Sequence, residues 1–466
     1  MFTKLTIQGL RGFQESQSIS LAQPNGKLGS GLTVIVGANN SGKSTAIEAL
    51  RALAQRDPPS FTQGRRNIKG GDKIHLKLEE INGNPGISGF TELNSISPST
   101  SECTFSRTDA ELLTSRLLVL PSRRSFEPFF SKSDTSRENY MLYAGFPTAR
   151  TSSMSEFTRR LFAIAKNKNA FDLVLKKVVD PVPDWSIDQI DSGQYFLKVK
   201  SNDAYHSSEG MGEGLVSLLY IVDAIYDSEP EHAIAIDEPE LSLHPALQRK
   251  LFKLIAEYSS DRQVIISTHS PYMIPIGLLT NGARILRVTT DTTGSRINQL
   301  SGDTASQLEK LATNANNPHI LGLDAREIFF TEDKIVLFEG QEDIVFLGRI
   351  EKSLEIDLKA HLFGWGAGGA ENMHILVKLL KELGFKKVAG ILDGDKTAVR
   401  DQLVAAYPDY HFACIPTKDI RTKKAVKARD KVNGLLTDSN DAVRQEYAGE
   451  MRNLMIAANA YFEAVV

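Results

Sequence analysis

Short apolar runs alternate with stretches of helical period along this chain, and several of the runs end in residues that carry chemistry. Leu32-Thr33-Val34-Ile35-Val36 is rich in β-branched residues and predicts a buried strand. A glycine-bounded loop follows, and then a helix with Ile47, Leu50 and Leu53 on its pattern. Ala233-Ile234-Ala235-Ile236 and Val264-Ile265-Ile266-Ser267-Thr268-His269 predict two further strands, with a helix from Leu215 to Ile225 ahead of them. Ile285-Leu286-Arg287-Val288 reads as the strand that completes this sheet. From Lys334 the alternation is regular. Strands at Ile335-Val336-Leu337-Phe338, from His361, at Lys387 to Leu392 and at Phe412 to Ile415 are separated by helices over Asp343 to Ile350, Ala370 to Leu383 and Ala398 to Ala406. Strands spaced by helices of about 10–15 residues predict a parallel sheet, whose ligands gather at the carboxyl ends of the strands.

Between the first two of these strands, Arg51 to His206 carries no sustained heptad pattern, which excludes a long coiled-coil arm. Pro58-Pro59-Ser60 and the Gly-, Ser- and Pro-rich stretch Asn82 to Ser101 read as loops. Leu117 to Leu120 reads as a strand running into Pro121-Ser122-Arg123-Arg124, a basic turn that either faces phosphate or is a solvated surface.

At 466 residues the chain predicts about three domains of ~150 residues each. We expect an α/β fold divided into 1–274 with an insertion around 55–205, a segment 275–332 that completes the first sheet and links onward, and a parallel-sheet domain over 333–466. The hydrophobic share of 41% and charged share of 24% are those of a globular protein. The longest apolar run, Gly214 to Ile225, is interrupted by Asp223 and is too short to span a bilayer. Without a secretory pattern at the N-terminus, and with only Cys103 and Cys414, the expectation is a reduced cytoplasmic protein with neither a disulfide framework nor a zinc site. A net charge of -3 offers no general attraction to nucleic acid, so any DNA contact must come from local basic patches.

Gly37-Ala38-Asn39-Asn40-Ser41-Gly42-Lys43-Ser44-Thr45 stands between a predicted strand and a predicted helix, the context that a phosphate-binding loop requires. Gly37, Asn39, Asn40, Gly42 and Thr45 shape a loop whose backbone N–H groups cradle phosphates. Lys43 neutralises their charge, and Ser44 ligates Mg²⁺. Asp237-Glu238-Pro239-Glu240 closes the second strand. There Asp237 would hold Mg²⁺ and Glu238 would polarise the attacking water, with His269 as a γ-phosphate sensor. These residues resemble the ABC-type ATPase heads of recombination and chromosome-maintenance proteins over Met1 to about Ile274. The resemblance implies a loop Leu241 to Pro245 after the acids and a signature segment reaching the nucleotide of a second subunit. Ser207 to Gly214 occupies the corresponding place but departs from the Ser-Gly-Gly-Gln form. Ser208 and Gly210 are either nucleotide contacts across a dimer or a helix cap after a turn.

In the second half, Glu339 ends the first strand, and Asp393-Gly394-Asp395 ends the third. This pattern resembles the TOPRIM fold shared by topoisomerases, bacterial primases and certain nucleases. Asp343 matches an additional acid of the nuclease branch, Gly366, Gly368 and Gly369 match its tight turn, and Lys418 matches a lysine after the fourth strand. The resemblance implies that Glu339, Asp343, Asp393 and Asp395 bind Mg²⁺ or Mn²⁺ and that Lys418 stabilises charge on the phosphodiester. A head followed by such a domain is the architecture of the OLD (overcoming lysogenization defect) family, whose relatives include the nuclease subunit of Gabija-type antiphage systems. The implied function is an ATP-gated, metal-dependent DNA endonuclease in antiphage defence. It would act as a homo-oligomer through its heads, with DNA and a helicase or other defence protein as partners and no membrane. Arg421, Lys423, Lys424, Lys427, Arg429 and Lys431 predict a basic, helical C-terminus that either contacts phosphate or is solvated. The rival readings are a repair or structural ATPase whose second domain does not cut, and a sensor subunit restraining a toxic partner. A primase lacks its zinc cysteines here, and a topoisomerase lacks its tyrosine domain.

Overall fold

The computed structural model describes residues 1–464 except 72, 82–87, 109–115, 125–129, 144–156, 202–203, 231, 313–318 and 424–431. It divides into two compact units, Met1–Ile297 and Asn298–Val466. The expected linking segment 275–332 is thus shared between the two units, and its part up to Ile297 belongs to the first.

The first unit is built on a six-stranded sheet in the order Gly294–Gln299, Arg284–Asp291, Leu32–Val36, Gln263–Ser267, Ala233–Asp237, Leu117–Leu120. The pairs from Arg284–Asp291 to Leu117–Leu120 are parallel. Every residue of Leu32–Val36, Ala233–Asp237 and Gln263–Ser267 is buried, which is why these strands read as continuous apolar runs instead of alternating. Helix Lys43–Leu53 buries Ile47, Leu50 and Leu53 in the core beneath the phosphate loop.

Two sequence expectations change here. Ser88–Ser95, within the stretch assigned to loop, is a strand paired antiparallel with His75–Ile81 and Cys103–Arg107. Burial of Thr91 and Leu93 supplies a period of two that the polar composition concealed. Residues 82–87 of that stretch lie outside the described residues. Part of the region expected as an insertion around 55–205 is woven into the sheets of the unit. His75–Ile81 joins Phe2–Gln8 in a five-stranded antiparallel sheet, and Leu117–Leu120 is a strand of the central sheet.

The second unit carries a four-stranded sheet in the order His361–Leu362, Ile335–Phe338, Val388–Leu392, His411–Cys414, with all pairs parallel as the strand–helix alternation predicts. Helices Gln341–Leu354, Ala370–Glu382 and Thr397–Ala406 connect the strands in turn. The expected basic, helical C-terminus falls largely outside the described residues, which include only Arg421 and Lys423 of its six bases. Described residues from Arg421 to Arg444 are non-helical, joined by bridges Lys423 to Val432 and Leu436 to Val443, and the helix is Gln445–Glu463. That helix has one base, Arg452, against Glu446, Glu450 and Glu463. Its packing is apolar instead, through buried Met451, Met455, Ala458 and Phe462. Lys424, Lys427, Arg429 and Lys431 lie outside the described residues.

Candidate functional site

The phosphate loop is shaped by close backbone approaches. Gly42 holds φ 115° at the N-cap of helix Lys43–Leu53, where an L side chain is strained. A Cβ on Gly37 would sit 2.3 Å from the Val288 carbonyl oxygen. Asn39 and Asn40 are exposed at the tip, Asn40 with φ 59°, and Thr45 is buried against the core. Lys43 is buried, and its Nζ donates to the carbonyls of Gly37 (3.0 Å) and Ala38 (2.8 Å). Burial lowers its pKa to about 8 against the pull of Glu238, Asp237 and Glu240. The ammonium is therefore poised over the loop with three carboxylates near it.

Strand pairing brings the acids to this loop, since Asp237 is in register with Ser267 on the adjacent strand. The Ser44 hydroxyl donates to Asp237 Oδ1 at 3.2 Å, and the Ser267 hydroxyl donates to the same oxygen. A hydroxyl and a carboxylate within hydrogen-bonding distance, both hard oxygen donors, fit a shared Mg²⁺. Glu238 adopts φ 48°, a left-handed conformation uncommon for a side chain of this kind, and its N–H donates to the Ser267 carbonyl at 2.9 Å. His269 follows the third strand with its backbone N–H bonded to Glu240 Oε1 (2.5 Å). Burial, reinforced by the Lys43 cation, lowers the His269 pKa to about 4, so the imidazole is neutral at pH 7. Burial likewise raises Glu240 to about 7.

The basic turn resolves into two different residues. Arg123 is exposed, whereas Arg124 is buried. Its guanidinium donates to the carbonyls of Asp237 (2.8 Å), Glu238 (2.9 Å) and Pro121 (2.5 Å) and to the Ser217 hydroxyl (2.7 Å). Its position after a strand was legible, but its burial depends on partners more than ninety residues away.

Ser208–Gly210 is a 3₁₀ turn that is partly exposed, and helix Glu213–Tyr226 starts from Gly212, so Ser208 and Gly210 do not cap it. Neither makes a hydrogen bond or ion pair with the phosphate loop or the acids among the described residues. The helix start packs on the loop after the acids. Ser242 donates to Glu213 Oε2 at 3.0 Å, and a Cβ on Gly214 would lie 2.4 Å from the Ser242 carbonyl.

In the second unit the strand ends gather a rim of carboxylates. The Asp393 N–H donates to Glu339 Oε2 at 3.3 Å, joining the ends of two adjacent strands. Burial first, then the charges of Asp343, Glu339, Asp419 and Asp395, raise Asp393 to about 8. Asp343 is buried, and one of its oxygens is engaged by the Gly340 N–H at 2.8 Å; burial raises its pKa to about 6. Asp395 is exposed beside Lys396 at 3.6 Å. Gly394 is obligatory for steric reasons. A Cβ there would lie 2.5 Å and 2.7 Å from the carbonyl oxygens of Thr417 and Ile415, and its N–H donates to the Thr417 carbonyl at 2.7 Å. That bond ties exposed Lys418 to the Asp-Gly-Asp turn. Gly369 N–H donates to the Glu339 carbonyl (2.9 Å), so the glycine turn is fastened to the same rim.

The rim is rich in hard oxygen donors whose mutual repulsion is relieved only in part by Lys396, Arg421 and Lys423, which fits a divalent cation. Among the described residues, however, no three acidic, histidine or cysteine side chains are already closed around one point. Asp419, beside Lys418, belongs to this rim electrostatically, as does Glu342, which pairs with Arg421 at 2.9 Å. No motif of the sequence singles out Asp419 as a member of this rim. Lys423 also pairs with Asp419, so the two described bases of that tail turn toward carboxylates of their own unit.

An AAA-domain family model matches residues 4–180, and a second, described as AAA domain, putative AbiEii toxin, Type IV TA system, matches 119–274. Together the two matches run through most of the first unit. The OLD nuclease of Thermus scotoductus is 25% identical over 197 residues, which are 40% of this chain and 36% of that protein. The chain spans about a third of the length of that relative. Among solved structures, the SMC head domain from Thermotoga maritima is 15% identical with a TM-score of 0.39, over 64% of this chain and 99% of that one. The Smc head of Pyrococcus furiosus bound to a ScpA domain is 14% identical with a TM-score of 0.43, over 67% of this chain and 99% of that one. No helix among the described residues is long and apolar enough to cross a membrane.

Proposed function

We propose that the protein is an ATP-gated, metal-dependent DNA endonuclease of OLD type, acting in antiphage defence, with a TOPRIM domain in its second unit. The single observation that carries this reading is the joining of Glu339 and Asp393 across adjacent parallel strand ends, with Asp343, Asp395 and Asp419 around them. Such a rim is costly to maintain in a protein that does not use it, because like charges destabilise one another. The OLD nuclease relative supports the same chemistry.

In the first unit, the loop N–H groups and Lys43 bind the phosphates, and Ser44 and Asp237 would hold Mg²⁺. Glu238 orients the attacking water, and neutral His269 offers a hydrogen bond to the γ-phosphate without adding charge. In the second unit, Glu339, Asp393 and Asp395, with Asp343 supporting, would hold Mg²⁺ or Mn²⁺. The ion, when bound, supplies Lewis-acid charge to the scissile phosphate. Lys418 meets the charge that develops on the phosphodiester, and Asp393 gives up its proton as the site fills. Head-to-head assembly of copies through the exposed Ser208–Gly210 turn would make nucleotide binding the control on cutting. DNA is the substrate, and a helicase or other defence protein is the partner we expect.

The test is nicking of supercoiled plasmid with Mg²⁺ by wild type and Asp393→Ala. The variant should cut at least about 100-fold more slowly, beyond the effect of losing an outer-shell partner, and bind ATP normally. Undiminished nicking by Asp393→Ala would remove the assignment. Nucleotide turnover stimulated by DNA, with no nicks from wild type, would instead favour the non-cutting ATPase.

A further inference from the structure

Arg124 joins three parts of the ATPase unit that are far apart in sequence. It contacts the turn after Leu117–Leu120 through the Pro121 carbonyl, the acidic strand end through the carbonyls of Asp237 and Glu238, and helix Glu213–Tyr226 through Ser217. A guanidinium suits this place because its planar fork presents several donors at fixed angles, which an ammonium does not. Glu238 is the residue of this group with the least comfortable backbone, at φ 48°. Two hydrogen bonds bracket that conformation, its own N–H to Ser267 on one side and Arg124 to its carbonyl on the other.

We infer that Arg124 is a positioning residue, holding Glu238 in its left-handed conformation and coupling it to helix Glu213–Tyr226 through Ser217. The helix begins beside the Ser208–Gly210 turn and is latched to the loop after the acids by Glu213 and Ser242. A shift of this helix, whatever engages its exposed start, reaches the Glu238 carbonyl through one side chain. The orientation of the water-directing carboxylate then depends on the state of the helix. This rests on reading Glu238 as the residue that orients water.

The experiment measures ATP turnover and fluorescent-nucleotide binding by the full chain for Arg124→Lys, Arg124→Ala, Ser217→Ala and Glu238→Gln. Displacing a reacting group by about an ångström costs on the order of 100-fold. Both Arg124 variants should therefore lose about that much kcat, with KM for ATP and nucleotide binding within about twofold. Millimolar guanidinium should restore part of the Arg124→Ala rate. Ser217→Ala, which cuts only the link to the helix, should lose about tenfold in kcat. A merely structural arginine would instead weaken nucleotide binding and show no rescue. If Arg124→Ala does not fold, Arg124→Lys and Ser217→Ala decide the matter alone. Turnover within about threefold of wild type for these variants, with Glu238→Gln inactive, would overturn the inference and leave the role of Glu238 intact. An active Glu238→Gln would overturn the role of Glu238 itself.

Discussion

The two acidic strand ends of this protein are built on opposite electrostatic plans. At Ala233–Asp237 the acids arrive with their own cations. Lys43 lies over the loop, Arg124 binds the backbone of both acids, and two hydroxyls bond one Asp237 oxygen. At Ile335–Phe338 and Val388–Leu392 carboxylates face carboxylates, and the result is an aspartate, Asp393, raised to about 8. The first arrangement carries its own cations, Arg124 on the carbonyls of both acids and Lys43 on those of the loop. In the second, Arg421, Lys423 and Lys396 pair with the outer acids Glu342, Asp419 and Asp395, whereas Glu339, Asp343 and Asp393 face one another, the setting in which the proposed divalent ion would act. The difference teaches that a carboxylate cluster is informative through what fails to neutralise it.

The largest effect that sharpens this contrast is on the self-sufficient side. Lys43→Ala removes the buried cation that bonds the carbonyls of Gly37 and Ala38 and that we propose binds phosphate. Because hydrogen bonds to charged groups contribute about 1.5–3 kcal/mol, ATP affinity should fall about 10- to 100-fold in a direct binding titration. Metal uptake at the second unit should not change in that variant.

Gly394→Ala should come next. Its Cβ meets two backbone carbonyls that cannot retreat without moving the Asp-Gly-Asp turn. Overpacking of this sort costs about 1–3 kcal/mol. Thermal unfolding should register that loss, and nicking should fall with it.

A third effect is a pH dependence. The folded pKa of Asp393, about 8, lies above its ordinary value of 3.8. The folded state therefore holds the proton more tightly than the unfolded one. Its contribution to stability is complete below about pH 4 and is lost as pH rises through 8. In EDTA, the melting temperature of wild type should decline across that window more steeply than that of Asp393→Asn. Saturating Mg²⁺ should flatten the wild-type slope, since the ion then takes the place of the proton. Equal slopes for both proteins in EDTA would break the contrast.

Much of this was legible in the sequence because both sheets are buried and parallel, and buried strands write themselves as apolar runs with chemistry at the carboxyl end. Leu32–Val36, Ala233–Asp237 and Val388–Leu392 fall within a residue or two of the runs that predicted them. What was not legible depends on distant partners. Ser88–Ser95 is a strand because His75–Ile81 and Cys103–Arg107 flank it, not because of its own composition. Arg124 and Asp419 acquire their meaning from backbone carbonyls and carboxylates that no local pattern reveals. Of the basic stretch after Ile420, the described bases Arg421 and Lys423 pair with Glu342 and Asp419, partners that its own charge pattern does not reveal.

The most direct test of the central claim is a Mn²⁺ titration of the nucleotide-free protein, followed by electron paramagnetic resonance, for wild type, Asp393→Ala and Asp237→Ala. Mn²⁺ binding should be present in wild type, retained in Asp237→Ala and lost in Asp393→Ala. Binding that survives Asp393→Ala unchanged, or that disappears only with Asp237→Ala, would contradict the account.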